Sequence, residues 1–285
     1  MHRSMLAVLR SLLDWILGVQ GGVIDVEFKN WNNNLCRVYI PDEQMWISIK
    51  DVLLLEEYEM LPSFSRRHLN LVLDAGAHVG LYSLKVAERA KKVIALEPDP
   101  QNYKLLVRNI HRSNATDKII PLRAALWKDS GQVKLFKGRN TAAHSMFSSS
   151  GEAFVADSIT LHDILFYYGE IDLMKIDIEG AEREVLLDAS AKDLTRINKI
   201  VGELHPALYG WKGVVDILNR LKKVGFNVKL IKSPISQPYS YTIKKIKDSS
   251  LVNLSRLKLL VALSYSISKL LRMGNIQLPI LYAWR

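Results

Sequence analysis

A chain of 285 residues, 48% of them hydrophobic, can bury a full core, and its single cysteine, Cys36, excludes an intramolecular disulfide framework and fits a reducing compartment. A net charge of +10 and a pI near 9.5 favour acidic partners: nucleic acid, phosphorylated small molecules or an anionic membrane surface. No run of about 18 uncharged apolar residues occurs, so no transmembrane helix is expected.

Residues 1–20 have helical spacing, with Ala7, Arg10, Ser11 and Asp14 on a narrow polar strip and leucine-rich positions around the rest. Arg10 and Asp14 interrupt the apolar region and no small-residue cleavage site follows, which argues against a signal peptide. The wide apolar face fits a helix docked on the domain, and also one that meets a membrane or a partner. Alternating runs at 23–28 and 36–40, either side of an Asn-rich turn at 30–34, predict strands. Residues 1–65 thus read as an N-terminal helix and a small β-rich cap, and residues 66–285 as the main domain.

From there strands and helices alternate. Strands are predicted at 71–74, 92–97, 118–122, 171–177, 199–203, 227–231 and 279–284, and helices at 81–89, 101–113, 159–168, 181–188 and 214–224. Pro98-Asp99-Pro100 opens the second of these helices, where a missing N–H costs little, and Ser158 is the candidate cap of the third. A hairpin is expected between 124–127 and 132–136, around Lys128-Asp129-Ser130-Gly131. The alternation predicts a doubly wound parallel α/β sheet. An insertion at about 232–277 separates the last two strands. Within it, 251–272 is apolar apart from a narrow strip, and 244–272 carries many basic residues against Asp248 alone. A basic amphipathic helix of this kind suits an anionic membrane, and a helix covering the sheet or a dimer face would look the same.

Three stretches carry candidate chemistry. In 70–82, NLVLDAGAHVGLY, an apolar strand ends at Asp74, and Gly76 and Gly80 frame a turn into a helix whose free N–H groups would face a ligand. Gly76 would permit the sharp turn and Gly80 a close approach of helix and strand. Glu97 ends the second strand 23 residues after Asp74, the position from which an acidic side chain accepts bonds from ribose hydroxyls. A dinucleotide would need glycine where His78 stands, so a nucleoside without a diphosphate is expected. In 173–182, LMKIDIEGAE, Lys175, Asp177, Glu179 and Glu182 crowd the end of an apolar strand aimed at the same crevice. Asp177 and Glu179 read as functional, and Glu182 as a surface residue. In 201–206, VGELHP, Glu203 and His205 end the neighbouring strand. The histidine could be a base, a hydrogen-bond donor or a metal ligand, and Asp177, Glu203 and His205 together are a candidate cation set that no spacing rule compels.

Taken together, the segments VLDAGAHVGLYSL, VIALEPDPQNYKLLVRNI, AALWKDSGQVKLF, SITLHDIL, DLMKIDIEGAEREVL and IVGELHP resemble the FkbM-type class I S-adenosylmethionine-dependent methyltransferases, over about residues 71–206. The resemblance implies a Rossmann-like, mostly parallel seven-stranded sheet whose last strand is antiparallel, which accounts for a strand after a long excursion. It implies S-adenosylmethionine as cofactor, with the methionine moiety over Asp74, Gly76, Ala77, His78 and Gly80. The ribose would lie on Glu97 beside Pro98, and adenine near Ala124 and Ala125. It does not cover the first 65 residues or the insertion, which would shape the acceptor pocket.

The expected reaction is methyl transfer to the oxygen of a sugar, glycan or other small molecule, by in-line displacement that the protein aligns and shields from water. Asp177, Glu179 and His205 are the candidate bases, His205 being best matched in pKa to neutral pH and Asp177 nearest in expected position. An RNA methyltransferase is the alternative suggested by the positive charge. Asp177-Ile178-Glu179-Gly180 is a poor surface for RNA, so nucleic acid is not the expected partner. A cofactor-binding, membrane-associated module without catalysis is the other alternative. The chain is expected to be cytoplasmic, with residues 1–20 and 244–272 as candidates for peripheral membrane contact.

Overall fold

The computed structural model describes residues 23–30, 34–41, 49–65, 68–136, 152–232 and 278–285. The helix expected within residues 1–20 and the insertion helix at 244–272 lie outside the described residues. β3 (Leu69–Ala75) is the strand around which the others assemble, buried at every position but Asn70 because helices cover both faces of the sheet. The sheet also contains β4 (Ala90–Leu96), β5 (Ile119–Leu122), β9 (Leu173–Ile176), β10 (Lys199–Glu203), β11 (Asn227–Lys232) and β12 (Pro279–Trp284). Their order is β11-β12-β10-β9-β3-β4-β5, with all neighbours parallel except β12, which runs antiparallel to both β10 and β11. This is the mostly parallel seven-stranded sheet with an antiparallel last strand that the resemblance implies.

Period-two alternation separates two cores. In β12, Ile280 and Tyr282 join the core beneath α1 (Leu81–Ala87) and α2 (Pro100–Arg112), while Leu281 and Ala283 join the opposite one. That second core also takes α3 (Leu161–Tyr168), α4 (Glu182–Asp188), α5 (Ala191–Leu194) and α6 (Pro206–Lys223). α6 begins well before the expected residue 214, with proline in its first turn and a kink at Gly210.

The expected 124–136 hairpin does not form. β6 (Ala125–Leu126) and β7 (Gly131–Phe136) instead pair on either side of β8 (Ala153–Ile159), β6 in parallel and β7 antiparallel. Ser158 lies in β8, where its hydroxyl donates to Asp129 O at 2.8 Å and ties the turn to this middle strand. The cap of α3 is therefore Thr160, in a capping box with Asp163, and not Ser158.

The cap is fastened to the main sheet by side chains. β1 (Val23–Lys29) and β2 (Leu35–Pro41) form an antiparallel ribbon. Along its edge Asn109 of α2 accepts from Tyr39 N–H at 2.7 Å and donates to Tyr39 O at 2.9 Å, behaving like a strand neighbour. Ser113 does the same at Arg37, and Arg112 adds a two-pronged pair with Asp25. Turns at Ile49–Leu54, Glu57–Glu59 and Pro62–Phe64 then cross the end of the sheet. There Glu59 sits 2.9 Å from Lys85 and 3.2 Å from Arg89, all three buried. The fully buried Tyr282 hydroxyl donates to Glu57 O and accepts from Met60 N–H at 3.0 Å, and its ring packs edge-on against Phe64 at 4.8 Å. Tyr282→Phe removes both bonds at one buried hydroxyl, so it should lower the unfolding free energy by about 1–2 kcal/mol. Urea denaturation measures this, and an unchanged midpoint would place the cap's attachment elsewhere.

Candidate active site

The parallel strands end at one edge, and the loops after β3, β4, β9 and β10 meet there. The loop after β3 turns at Gly76, whose φ is +79 and whose added Cβ would stand 1.9 Å from Asp177 O. Only glycine lets these two loops touch. Gly80 is also left-handed, at φ +90, but its added Cβ would meet the Leu106 side chain of α2 at 2.6 Å, so the close approach it permits is to that helix. Asp74 has no exposure. It accepts from Ser83 Oγ at 2.6 Å and lies 3.3 Å from Lys175 Nζ. Lys175 donates to Gly76 O at 2.7 Å and stands 3.8 Å from Asp177. Burial favours its neutral form, but Asp74 and Asp177 outweigh this and hold it above its ordinary value, hence cationic.

Glu97, one residue past β4, accepts from the N–H groups of His78 at 2.8 Å and Asp99 at 3.0 Å. Burial pushes its carboxyl up to about 7 against the pull of these donors. The cavity beside it is lined by Gly76, Ala77, His78, Glu97, Pro98 and Asn102, with Ala124, Ala125 and Leu126 as an apolar wall. At the other side stand Asp177, Ile178, Glu179 and Glu203, faced by Asp51, Glu57 and Tyr58 from the cap. The Tyr58 hydroxyl donates to Asp177 Oδ2 at 3.1 Å. His78 and Glu179, both at φ +53, are among the few described non-glycine residues with left-handed backbone, and both line the cavity.

The carboxyls on the cap-facing side are not ordinary. Burial raises Glu179 to about 7, with His205 pulling it down and Asp177 and Glu182 pushing it up. Burial, then Asp177 and Asp51, raise Glu203 to about 8. The expectation that His205 titrates near neutrality does not hold. Burial favours the neutral ring, but Glu182, 3.1 Å from Nδ1, together with Asp177 and Glu179 pushes it up to about 10. The ring is a cation at neutral pH and a poor base. Nor is Glu182 a surface residue: it has no exposure and accepts from the N–H groups of Ile178 and Gly180. Asp177, Glu203 and His205 do bring ligand atoms within 4.8 Å of one another, as do Asp51, Glu57 and Glu203. A protonated imidazole offers no lone pair to an ion, so the first set would have to lose that proton to bind one.

The Methyltransferase FkbM domain model matches residues 74–228, more than half of the chain. The chain belongs to the FkbM methyltransferase family. The chain is similar to methyltransferase sdnD of Sordaria araneosa, with 28% identity in an alignment 195 residues long that covers 55% of this chain and 73% of that protein. Among solved structures, the chain is similar to the FkbM methyltransferase of Methylobacillus flagellatus (18% identity, 60% of this chain, 42% of that one, TM-score 0.42). It is also similar to precorrin-6y C5,15-methyltransferase of Geobacter metallireducens (12% identity, 84% and 87% covered, TM-score 0.41).

In this FkbM chain the structure gathers Gly76, Ala77, His78, Glu97, Pro98, Ala124, Ala125, Asp177 and Glu179 around one cavity. Asp74, Gly80 and His205 lie behind its lining: Asp74 anchors Lys175, Gly80 packs on Leu106, and His205 is paired with carboxylates. Asp51, Glu57, Tyr58 and Asn102 are cavity residues that sequence reasoning missed. The cap residues carry no motif. Only their crowding of acids before the first core strand could have pointed to them.

Glu97, Glu179, Glu203 and His205 all bind protons more tightly folded than unfolded. The carboxyls do so between about 4.3 and their raised values, and His205 between about 6.5 and its own. Stability contributed by such groups is full at low pH and is lost as pH rises through the folded values. The free protein should therefore have a higher urea midpoint at pH 5.5 than at pH 8.5, and Glu203→Gln should flatten the slope. A midpoint that rises with pH would contradict the placement of these groups.

Proposed function

We propose that the protein transfers a methyl group from S-adenosylmethionine to a hydroxyl oxygen of a sugar, glycan or other small molecule. The observation that carries this reading is one cavity with a ribose-type acceptor at one side, Glu97, and a carboxyl poised near neutrality at the other, Glu179. The residues present fit the donor. Its sulfonium charge suits a lining with six carboxyls against Lys175, and Ala124, Ala125 and Leu126 suit an adenine face. When bound, S-adenosylmethionine would supply a methyl group activated by the positive sulfur, which would keep the electron pair of the broken carbon–sulfur bond and leave as a neutral thioether.

The chain's own groups supply the rest. Glu97 has its inner positions filled by two backbone N–H groups and would accept from a vicinal diol. Asp177, held by Tyr58 and Lys175, fixes the floor between the two sides. Glu179 is the base: as a hydroxyl forms its new bond to carbon, its O–H bond breaks and the proton passes to the Glu179 carboxylate. The cap turns that carry Asp51, Glu57 and Tyr58 cover the acceptor side and exclude water. The density of carboxyls disfavours a polyanionic acceptor such as RNA, despite the basic surface.

Glu97→Ala should weaken S-adenosylmethionine binding by about tenfold or more, the worth of a hydrogen-bonded charge, and unchanged affinity by calorimetry would sink the ribose assignment. Transfer of labelled methyl from S-adenosylmethionine into fractionated cell extract, with mass spectrometry of the product, identifies the acceptor. Once it is known, Glu179→Gln should lower kcat by about 10²- to 10⁴-fold while leaving cofactor affinity in place. A methylated carboxylate in the product, or an unaffected kcat, would remove Glu179 from the role of base.

A further inference from the structure

β9 and β10 run side by side in parallel, and their ends bring two carboxylates and an imidazole together. Asp177 follows β9, Glu203 is the last residue of β10, and His205 stands two residues further on, just ahead of α6. One ligand atom from each lies within 4.8 Å of the other two. The His205 side chain is 6% exposed, and neither of its ring nitrogens has a hydrogen-bond partner among the described residues. Nε2 stands 3.5 Å from Glu179 Oε2 and 4.0 Å from Asp177 Oδ1. Nδ1 lies 3.1 Å from Glu182 Oε1 without the alignment of a hydrogen bond. Buried polar groups are as a rule hydrogen-bonded, so a ring enclosed by acids and bonded to none of them calls for a different partner.

We propose that Asp177, Glu203 and His205 bind a divalent transition-metal ion, manganese or zinc in type. Asp177 Oδ2 accepts from the Tyr58 hydroxyl at 3.1 Å, which leaves Oδ1 as the oxygen turned toward Nε2. Glu182 stands behind the ring at Nδ1, where carboxylates orient metal-bound histidines. Two ligands across such an ion, with bonds of about 2.1 Å, are about 4.2 Å apart, so the set closes by about half an ångström on binding. The ion takes the place of the ring proton, which passes to solvent.

The donor set decides the kind of ion. Asp51 and Glu57 also come within 4.8 Å of Glu203, but they offer oxygen alone, as magnesium and calcium prefer. An imidazole nitrogen beside two carboxylates instead favours a transition metal. Asp177 and Glu203 line the cavity, so the positions that three protein ligands leave open face it. If the cavity is the site of methyl transfer, those positions suit an acceptor with two neighbouring oxygens, such as a vicinal diol, gripped as a chelate. That role rests on the proposed reaction. The ion site does not.

The test titrates the chelator-treated full chain with manganese, zinc and magnesium chloride by calorimetry. Pulsed electron paramagnetic resonance then looks for an imidazole nitrogen coupled to the bound manganese. One manganese or zinc ion should bind per chain, about tenfold or more tighter than magnesium, and the nitrogen coupling should be present. His205→Gln and Glu203→Gln should each weaken binding by about tenfold or more, and His205→Gln should erase the coupling. His162→Gln, at an exposed ring beside Asp193, should change neither. Two wild-type results, which require no variant to fold, overturn the site: no binding of manganese or zinc, or bound manganese without nitrogen coupling. So does unchanged affinity in folded His205→Gln. Absence of methyl transfer would instead overturn the reading of the cavity, and calorimetry would still decide the ion site.

Discussion

The Lys175 ammonium lies under the site, 4% exposed, where β3 and β9 end side by side. Burying such a charge costs several kcal/mol unless partners surround it, and here the partners belong to different loops. Gly76 O accepts a hydrogen bond from it, Asp74 balances it from the neighbouring strand β3, and Asp177 does so from just past the end of its own strand, β9. The ammonium thereby holds together the loop that faces the proposed donor and the loop that faces the proposed acceptor. The missing Cβ of Gly76 lets Asp177 O come close enough for this arrangement to close. Shape at the cavity floor follows from one buried cation and one absent methyl group.

Electrostatics divides the molecule into two regimes. The chain as a whole is strongly basic, but the cavity gathers Asp51, Glu57, Glu97, Asp177, Glu179 and Glu203. Mutual repulsion and loss of water leave several of these carboxyls titrating near neutrality, as reactive carboxyl groups do in other pockets. Net charge describes how the surface meets large partners, while burial and neighbours decide what the pocket can hold.

Much of this was legible in the sequence, for identifiable reasons. Strand ends and glycine turns leave local signatures, so the Asp74–Gly80 loop, Glu97 and the Asp177–Glu179 turn could be placed by spacing. β8 could not, because its buried positions are the small Ala156 and Ser158, which carry no hydrophobic alternation, and its absence suggested a false hairpin. Tyr58 and Glu57 reach the site through long-range docking of their turns on Tyr282, Lys85 and Arg89, which no local pattern encodes. His205 failed for a different reason. Its type implied a base, and the carboxylates folded around it, Glu182 first and then Asp177 and Glu179, favour its charged form.

β11 touches the main sheet only through β12, and in that pairing Lys232 stands opposite Pro279. The chain therefore leaves the sheet and returns to it at adjacent points, on the same edge where the cavity opens. Closing a loop between neighbouring anchors costs entropy that grows only with the logarithm of its length. Evolution can lengthen, shorten or rewrite the segment between these residues without disturbing a single strand pairing.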